Sequence, residues 1–135
     1  MIKRLFDLVA SSIGLILLAP VMAVIAVLVK RDSPGPALFR QERVGRGGKP
    51  FTLLKFRSMT GAPAAAGPLV TAATDARITK VGAKLRATKL DELPQLVNVF
   101  RGDMSIVGPR PEVHEYVDLW ADEDRQVILS VLPGI

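Results

Sequence analysis

A chain of 135 residues with a formal charge of +5 is long enough for one domain with its own core, and it contains no cysteine, which excludes a disulfide framework and a thiolate metal centre. The charge is unevenly placed: residues 40–110 carry thirteen Lys/Arg against five Asp/Glu, whereas the residues after Arg110 carry one Arg against six acids. The middle of the chain therefore calls for an anion, a phosphorylated substrate or an acidic membrane ahead of nucleic acid, because the seven aromatics do not alternate with the cations as a base-stacking platform requires.

The first element reads as a membrane segment. Between the basic pairs Lys3-Arg4 and Lys30-Arg31 the only charge is Asp7, and residues 13–29 carry no charged or hydroxyl side chain. Seventeen residues at ~1.5 Å each reach ~25 Å, short of the ~30 Å hydrocarbon core. Pro20 stands near the middle and removes a backbone donor. Basic pairs at both ends satisfy the positive-inside bias together only if both ends stay on the cytoplasmic side. The economical expectation is a re-entrant helix-break-helix over residues 1–31, broken at Ala19-Pro20, with residues 32–135 as a cytosol-facing domain at the interface. A kinked span is the open alternative, since proline is common in spanning helices; a secretory signal is disfavoured by the absence of a clear small-x-small cleavage site.

Asp32-Ser33-Pro34-Gly35-Pro36 is turn chemistry that ends the helix. Residues 37–41 and 51–56 have the composition of two short strands, joined by a Gly-rich basic loop into a hairpin whose Arg40, Arg43, Arg46 and Lys49 face either lipid phosphates or solvent. In Lys55-Phe56-Arg57 two cations flank an apolar residue, a pattern expected to reach an anion. Residues 61–73, rich in Ala, Gly, Pro and Thr, read as a mobile loop. A helix resumes near residues 78–86 with Lys80, Lys84 and Arg86. Val113, Tyr116, Val117 and Trp120 predict a last amphipathic helix, on which His114 has no clustered ligand partner. The final Leu132-Pro133-Gly134-Ile135 has the character of a turn, so the domain is expected to continue beyond it.

Between these elements lies Leu90-Asp91-Glu92-Leu93-Pro94-Gln95, two adjacent carboxylates where Leu93, Leu96, Val97 and Phe100 predict a helix with one apolar face. Asp91 fits an N-cap, and Pro94 is tolerated in the first turn. The simplest role of the pair is to cap the helix and complement its dipole. Among so many cations the pair also suits phosphoryl transfer, in which a carboxylate attacks phosphorus. An anionic nucleophile approaching a diphosphate needs cationic clamps and a divalent ion, and Mg²⁺ fits two carboxylates together with substrate phosphate and water. Arg110 lies between Pro109 and Pro111, which restrict the backbone so that the guanidinium is presented to an anion at low ordering cost.

The ordered series of motifs resembles a bacterial sugar transferase of the monotopic phosphoglycosyl transferase family in its minimal form. The series is Lys3-Arg4-Leu5-Phe6-Asp7, Gly35-Pro36, Phe39-Arg40-Gln41-Glu42-Arg43-Val44-Gly45, Lys55-Phe56-Arg57-Ser58-Met59, Leu85-Arg86, Leu90-Asp91-Glu92-Leu93-Pro94-Gln95-Leu96, Asn98-Val99, Gly102-Asp103-Met104-Ser105 and Val107-Gly108-Pro109-Arg110-Pro111. The resemblance implies a mainly helical α+β fold, a re-entrant membrane helix on the cytoplasmic face of the bacterial inner membrane, and ping-pong transfer of a sugar phosphate from a UDP-sugar to polyprenyl phosphate with release of UMP, a first membrane step in polysaccharide or glycoconjugate assembly. It implies Asp91 as nucleophile, Glu92 as its dyad partner, both as Mg²⁺ ligands, Arg86 and Arg110 with Pro109 and Pro111 at phosphate or nucleotide, and Lys55 and Arg57 as second choices. Two departures stand out: Ala19-Pro20 replaces the family's usual Ser-Pro, and the family's segment beyond Pro133-Gly134 is missing. The sugar is not encoded in any motif, and a homo-oligomer is compatible with the pattern. The rival from another class is a non-catalytic membrane-anchored scaffold that binds anionic lipid through its basic middle and a protein partner through its acidic tail.

Overall fold

The apolar N-terminal segment folds as one helix, α1 (Ile2–Asp32), with Pro20 inside it. The computed structural model describes residues 1–61 and 74–135; apart from Gly61, the loop expected over 61–73 lies outside them. The break expected at Ala19-Pro20 is therefore corrected: the backbone stays helical through both residues. Proline removes its own donor and crowds the carbonyl four residues before it, and here the bonds on either side keep the helix continuous. Only 11% of the most apolar 18-residue stretch of α1 is buried, so this is not the core helix of a water-soluble domain. Ile13, Ile16, Leu17, Val21 and Val24 are exposed along its middle.

The two ends of α1 are attached by polar contacts. Near its start, Arg4 donates to the carbonyls of Val99 (2.6 Å) and Phe100 (2.7 Å) and Lys3 to that of Val107 (3.0 Å). The buried Asp7 accepts from Ser105 Oγ (3.1 Å) and the Ile106 amide (3.0 Å). Near its end, Ile25 and Val29 form a core with Phe56 and Leu85. Asp32 Oδ2 accepts from the Val81 amide at 2.9 Å.

The expected hairpin is present, with longer strands: β1 (Leu38–Val44) pairs antiparallel with β2 (Pro50–Phe56), Gln41 opposite Leu53. A 3-10 turn at Arg46–Gly48 joins them, and Gly47 supplies a φ of 70° that side-chain-bearing residues adopt at a cost. Then come α2 (Lys80–Thr88), a 3-10 turn at Leu90–Glu92, and α3 (Gln95–Arg101), which ends on Gly102 in the left-handed region. The last predicted helix is only one turn, α4 (His114–Val117), because the chain turns again before α5 (Asp122–Ile128), whose first turn holds Asp122, Glu123 and Asp124. That acidic run is an N-terminal helix signal that complements the helix dipole. His114 is exposed, 3.8 Å from Glu42.

A two-stranded sheet leaves an open edge on each strand. On β2 that edge is closed by one side chain. Asn98 of α3, fully buried, accepts from the Leu54 amide at 3.1 Å and donates to the Thr52 carbonyl at 2.7 Å, so its carboxamide acts as one peptide unit of a missing third strand. Leu53 on the same strand packs with Val99 and Met104 in a second core. Asn98→Ala would leave buried backbone groups on β2 unpaired. The expected loss is about 2–4 kcal/mol, read as a lower urea midpoint, and a loss under about 0.5 kcal/mol would show that the sheet edge does not depend on this residue.

Candidate active site

The dyad is delivered by a tight connection between α2 and α3. Thr79 caps α2 by accepting from the Gly82 amide at 2.9 Å, and Gly82 is required there because a Cβ would lie 2.1 Å from the Ser58 carbonyl oxygen. The helix stops at Lys89, a non-glycine residue with φ 61°. Left-handed backbone at a lysine costs on the order of 1 kcal/mol. It also turns the chain sharply into Leu90–Glu92. Asp91 is not the N-cap of the following helix: it sits inside the 3-10 turn, Pro94 takes the cap position of α3, and no side chain caps that end.

Glu92 is the centre of the site. Its Oε1 accepts from Lys55 Nζ of β2 at 3.0 Å and from Arg110 Nη2 at 3.1 Å. Lys55 and Glu92 are largely buried, whereas the Arg110 side chain is 61% exposed and faces solvent over the cleft. Burial pushes the Glu92 carboxyl upward, but the hydrogen bond and charge of Lys55, reinforced by Arg110, outweigh it and hold the group below its usual value. Asp91 differs. It is 7% exposed, and its Oδ1 is buried with no hydrogen-bond partner among the described residues. Burial raises its pKa above the ordinary aspartate value, Glu92 adds to the rise, and the charges of Lys55 and Arg86 only partly oppose it.

The Arg110 segment is fixed from outside. The Pro109 carbonyl accepts from the Gly134 amide at 2.8 Å, the Pro111 carbonyl from Arg43 Nη1 at 3.2 Å, and the Glu112 carbonyl from the Val44 amide at 2.9 Å. Gly134 and Gly108 pass so closely that a Cβ on Gly134 would lie 2.4 Å from the Gly108 nitrogen. The rigidity expected from two prolines is thus joined to hydrogen bonds on either side of Arg110. A small open cleft lies between Lys55, Glu92, Gln95, Arg110 and Pro111.

The other candidates divide. Arg86 is half-buried and donates to Met59 Sδ at 3.7 Å, while its charge acts on Asp91. Arg57 does something the sequence did not reveal: its terminal nitrogens donate to the carbonyls of Ser33 (2.8 Å), Gly35 (3.3 Å), Val29 (3.5 Å) and Pro34, at the end of α1. Of the loop cations expected at lipid, Arg43 is instead bound inward, 3.6 Å from Glu112 and hydrogen-bonded to Gln41 and Pro111. Sequence reasoning missed Asn98, Gln95 and Asp7 as buried polar residues. The available signal was Gln95 and Asn98 at three-residue spacing within an apolar helix, and Asp7 as the lone charge in an apolar run.

Among the described residues no group of three or more His, Cys, Asp or Glu surrounds a point where a cation would sit. Two adjacent carboxylates, one with an unpaired buried oxygen, nevertheless fit a cation that takes few protein ligands and completes its shell with phosphate and water, as Mg²⁺ does. The opposite shifts of the two acids have opposite signs in stability. Glu92, depressed, contributes stability that is complete above the ordinary carboxylate value and is lost as pH falls through its folded value. Asp91, raised, costs stability as pH rises from the ordinary value through its folded one. Asp91→Asn is therefore expected to raise Tm at pH 7 by about 2–4 °C, with the difference shrinking toward pH 4; an equal or lower Tm at pH 7 would contradict the burial cost.

The family described as bacterial sugar transferase matches residues 1–135. The chain is 52% identical over 139 aligned positions to the UDP-glucose:undecaprenyl-phosphate glucose-1-phosphate transferase of Escherichia coli (strain K12), covering all of this chain and 30% of that protein. It is 50% identical over 121 positions to a protein of the same name from Caulobacter vibrioides, covering 88% and 45%. It is 44% identical over 126 positions to the UDP-N-acetylgalactosamine-undecaprenyl-phosphate N-acetylgalactosaminephosphotransferase of Aeromonas hydrophila, covering 93% and 29%. The chain spans less than half the length of each of these three relatives. With a match along its whole length, the chain belongs to the bacterial sugar transferase family.

Proposed function

We propose that this chain transfers a sugar phosphate from a UDP-sugar to undecaprenyl phosphate at the cytoplasmic face of the bacterial inner membrane. The observation that carries the proposal is a buried carboxylate with an unpaired oxygen beside a second carboxylate held by two cations, in a domain that also bears a helix whose apolar middle is bare. The relatives' names supply the substrate class.

In the first half-reaction Asp91 attacks the phosphorus that bears the sugar. Its carboxylate oxygen forms the new bond, the bond from that phosphorus to the bridging oxygen breaks, and UMP leaves with the electron pair. In the second half an oxygen of undecaprenyl phosphate attacks the same phosphorus and the carboxylate departs, regenerating Asp91. The raised pKa of Asp91 marks an anion poorly stabilised by its surroundings, and so one that gains from bonding to phosphorus. Lys55 and Arg110, already on Glu92, lie where charge on a diphosphate needs offsetting, and Arg110, exposed over the cleft, is the one free to swing onto it. Asp91 and Glu92 are the residues that would hold Mg²⁺, which when bound supplies charge neutralisation at the phosphates.

The ends of α1 are tied to one body while its middle exposes apolar side chains, which supports an element that stays on one face of the bilayer over a span. Residues 1–31 then form the membrane element and residues 32–135 the catalytic domain. The test is release of UMP from UDP-glucose or UDP-N-acetylgalactosamine by protein in lipid nanodiscs with undecaprenyl phosphate. Asp91→Asn should lower it by at least ~10³-fold and abolish a trapped phosphosugar adduct while leaving membrane association intact. Turnover persisting in Asp91→Asn would reject the nucleophile, and turnover unchanged by EDTA would reject the metal. Binding without UMP release in the unaltered protein would favour a scaffold instead.

A further inference from the structure

Arg57 stands two residues beyond Lys55, and its amide still bonds to the Ala37 carbonyl at 2.9 Å, so the strand ladder runs past the end of β2. Residues i and i+2 of a strand project to the same side. Lys55 holds Glu92, and Arg57 holds four carbonyls at the C-terminal end of α1. The seat is specific. Gly35 has φ 121°, and a Cβ there would lie 2.8 Å from Arg57 Nη1. Of the four, the Val29 carbonyl lies within α1 and those of Ser33, Pro34 and Gly35 belong to its cap and the turn after it, so the guanidinium sits just beyond the negative end of the helix dipole, where a cation is favoured. A second tie runs beside it: Asp32 accepts from the Val81 amide in the first turn of α2, the helix that leads to the dyad. The membrane helix is thus connected to the dyad along two short routes, one through the turn at its end and the strand from Arg57 to Lys55, the other through Asp32 and α2.

We propose that Arg57 is a positioning residue for the lipid acceptor: by holding the end of α1 it fixes the height of Asp91 and Glu92 over the membrane surface, without touching either substrate. This rests on the proposed function. The physical reason is an asymmetry between the substrates. A UDP-sugar dissolves in water and reaches the dyad at any height. The phosphate of a polyprenyl phosphate stays at headgroup level and meets the dyad only if the dyad is held there. A loosened joint therefore impairs the second half-reaction and spares the first, whereas general unfolding impairs both.

The test uses the full chain in nanodiscs of phosphatidylethanolamine and phosphatidylglycerol. Two quantities are read: the burst of UMP from UDP-glucose or UDP-N-acetylgalactosamine without acceptor, and the KM for undecaprenyl phosphate in turnover. Arg57→Gln is expected to keep the burst rate within about threefold of the unaltered protein and to raise the acceptor KM about tenfold or more, with Arg57→Lys in between. Equal loss in both, or change in neither, overturns the proposal. Should Arg57→Gln lack native helicity by circular dichroism, Asp32→Ala decides the matter by the same two readings. No UMP burst from the unaltered protein with either sugar nucleotide would overturn the proposed function itself and this inference with it.

Discussion

Two cations converging on one oxygen of Glu92 organise this protein. Lys55 comes from a strand and Arg110 from a segment that follows α3, and both end within 3.1 Å of the same atom. That convergence sets the position of the 3-10 turn, and with it the burial of Asp91. Neighbouring carboxylates repel, so a fold that keeps both must pay for one of them elsewhere; here the cations are given to Glu92, and Asp91 is left with an unpaired oxygen.

The second constraint is the helix that the core does not cover. A segment this apolar, left bare along its middle, must find another solvent, and the polar anchors at its ends determine how the remainder meets that solvent. At the start, Arg4 satisfies carbonyls at the end of α3 and Asp7 satisfies donors in the turn after it. At the other end Arg57 and Asp32 do the equivalent for α1 and α2. Arg4, Arg57 and Asp32 each link a helix end to a remote part of the chain, and Asp7 links α1 to the turn after α3. Helix ends are thus joints of this small domain, beside the two apolar clusters that pack α1 and α3 against β2.

A related economy governs the sheet and the Arg110 segment. A hairpin alone is marginally stable in water. Asn98 closes one edge of it, and the backbone around Arg110 docks on the start of the loop through Val44 and Arg43. The basic loop that the sequence offered to lipid is in this way divided, Arg43 being used inside the fold while Arg40, Arg46 and Lys49 stay exposed.

What the sequence determined by itself were the features set by local rules: the long apolar helix, the hairpin with its glycine turn, the helices around residues 80–88 and 95–101, and the acid pair and Arg110 as separate residues to single out. Period, composition and turn chemistry act over a few residues, so they can be read without contacts. Tertiary structure decided the rest. It put Asp91 in a 3-10 turn instead of at a cap, kept α1 helical through Pro20, assigned Arg57 to carbonyls and Arg43 to Glu112, and buried Asn98 and Asp7. These depend on where partners distant in sequence arrive. A guanidinium or carboxamide takes whichever acceptor is nearest in space, and nothing in the local spacing records which one that is.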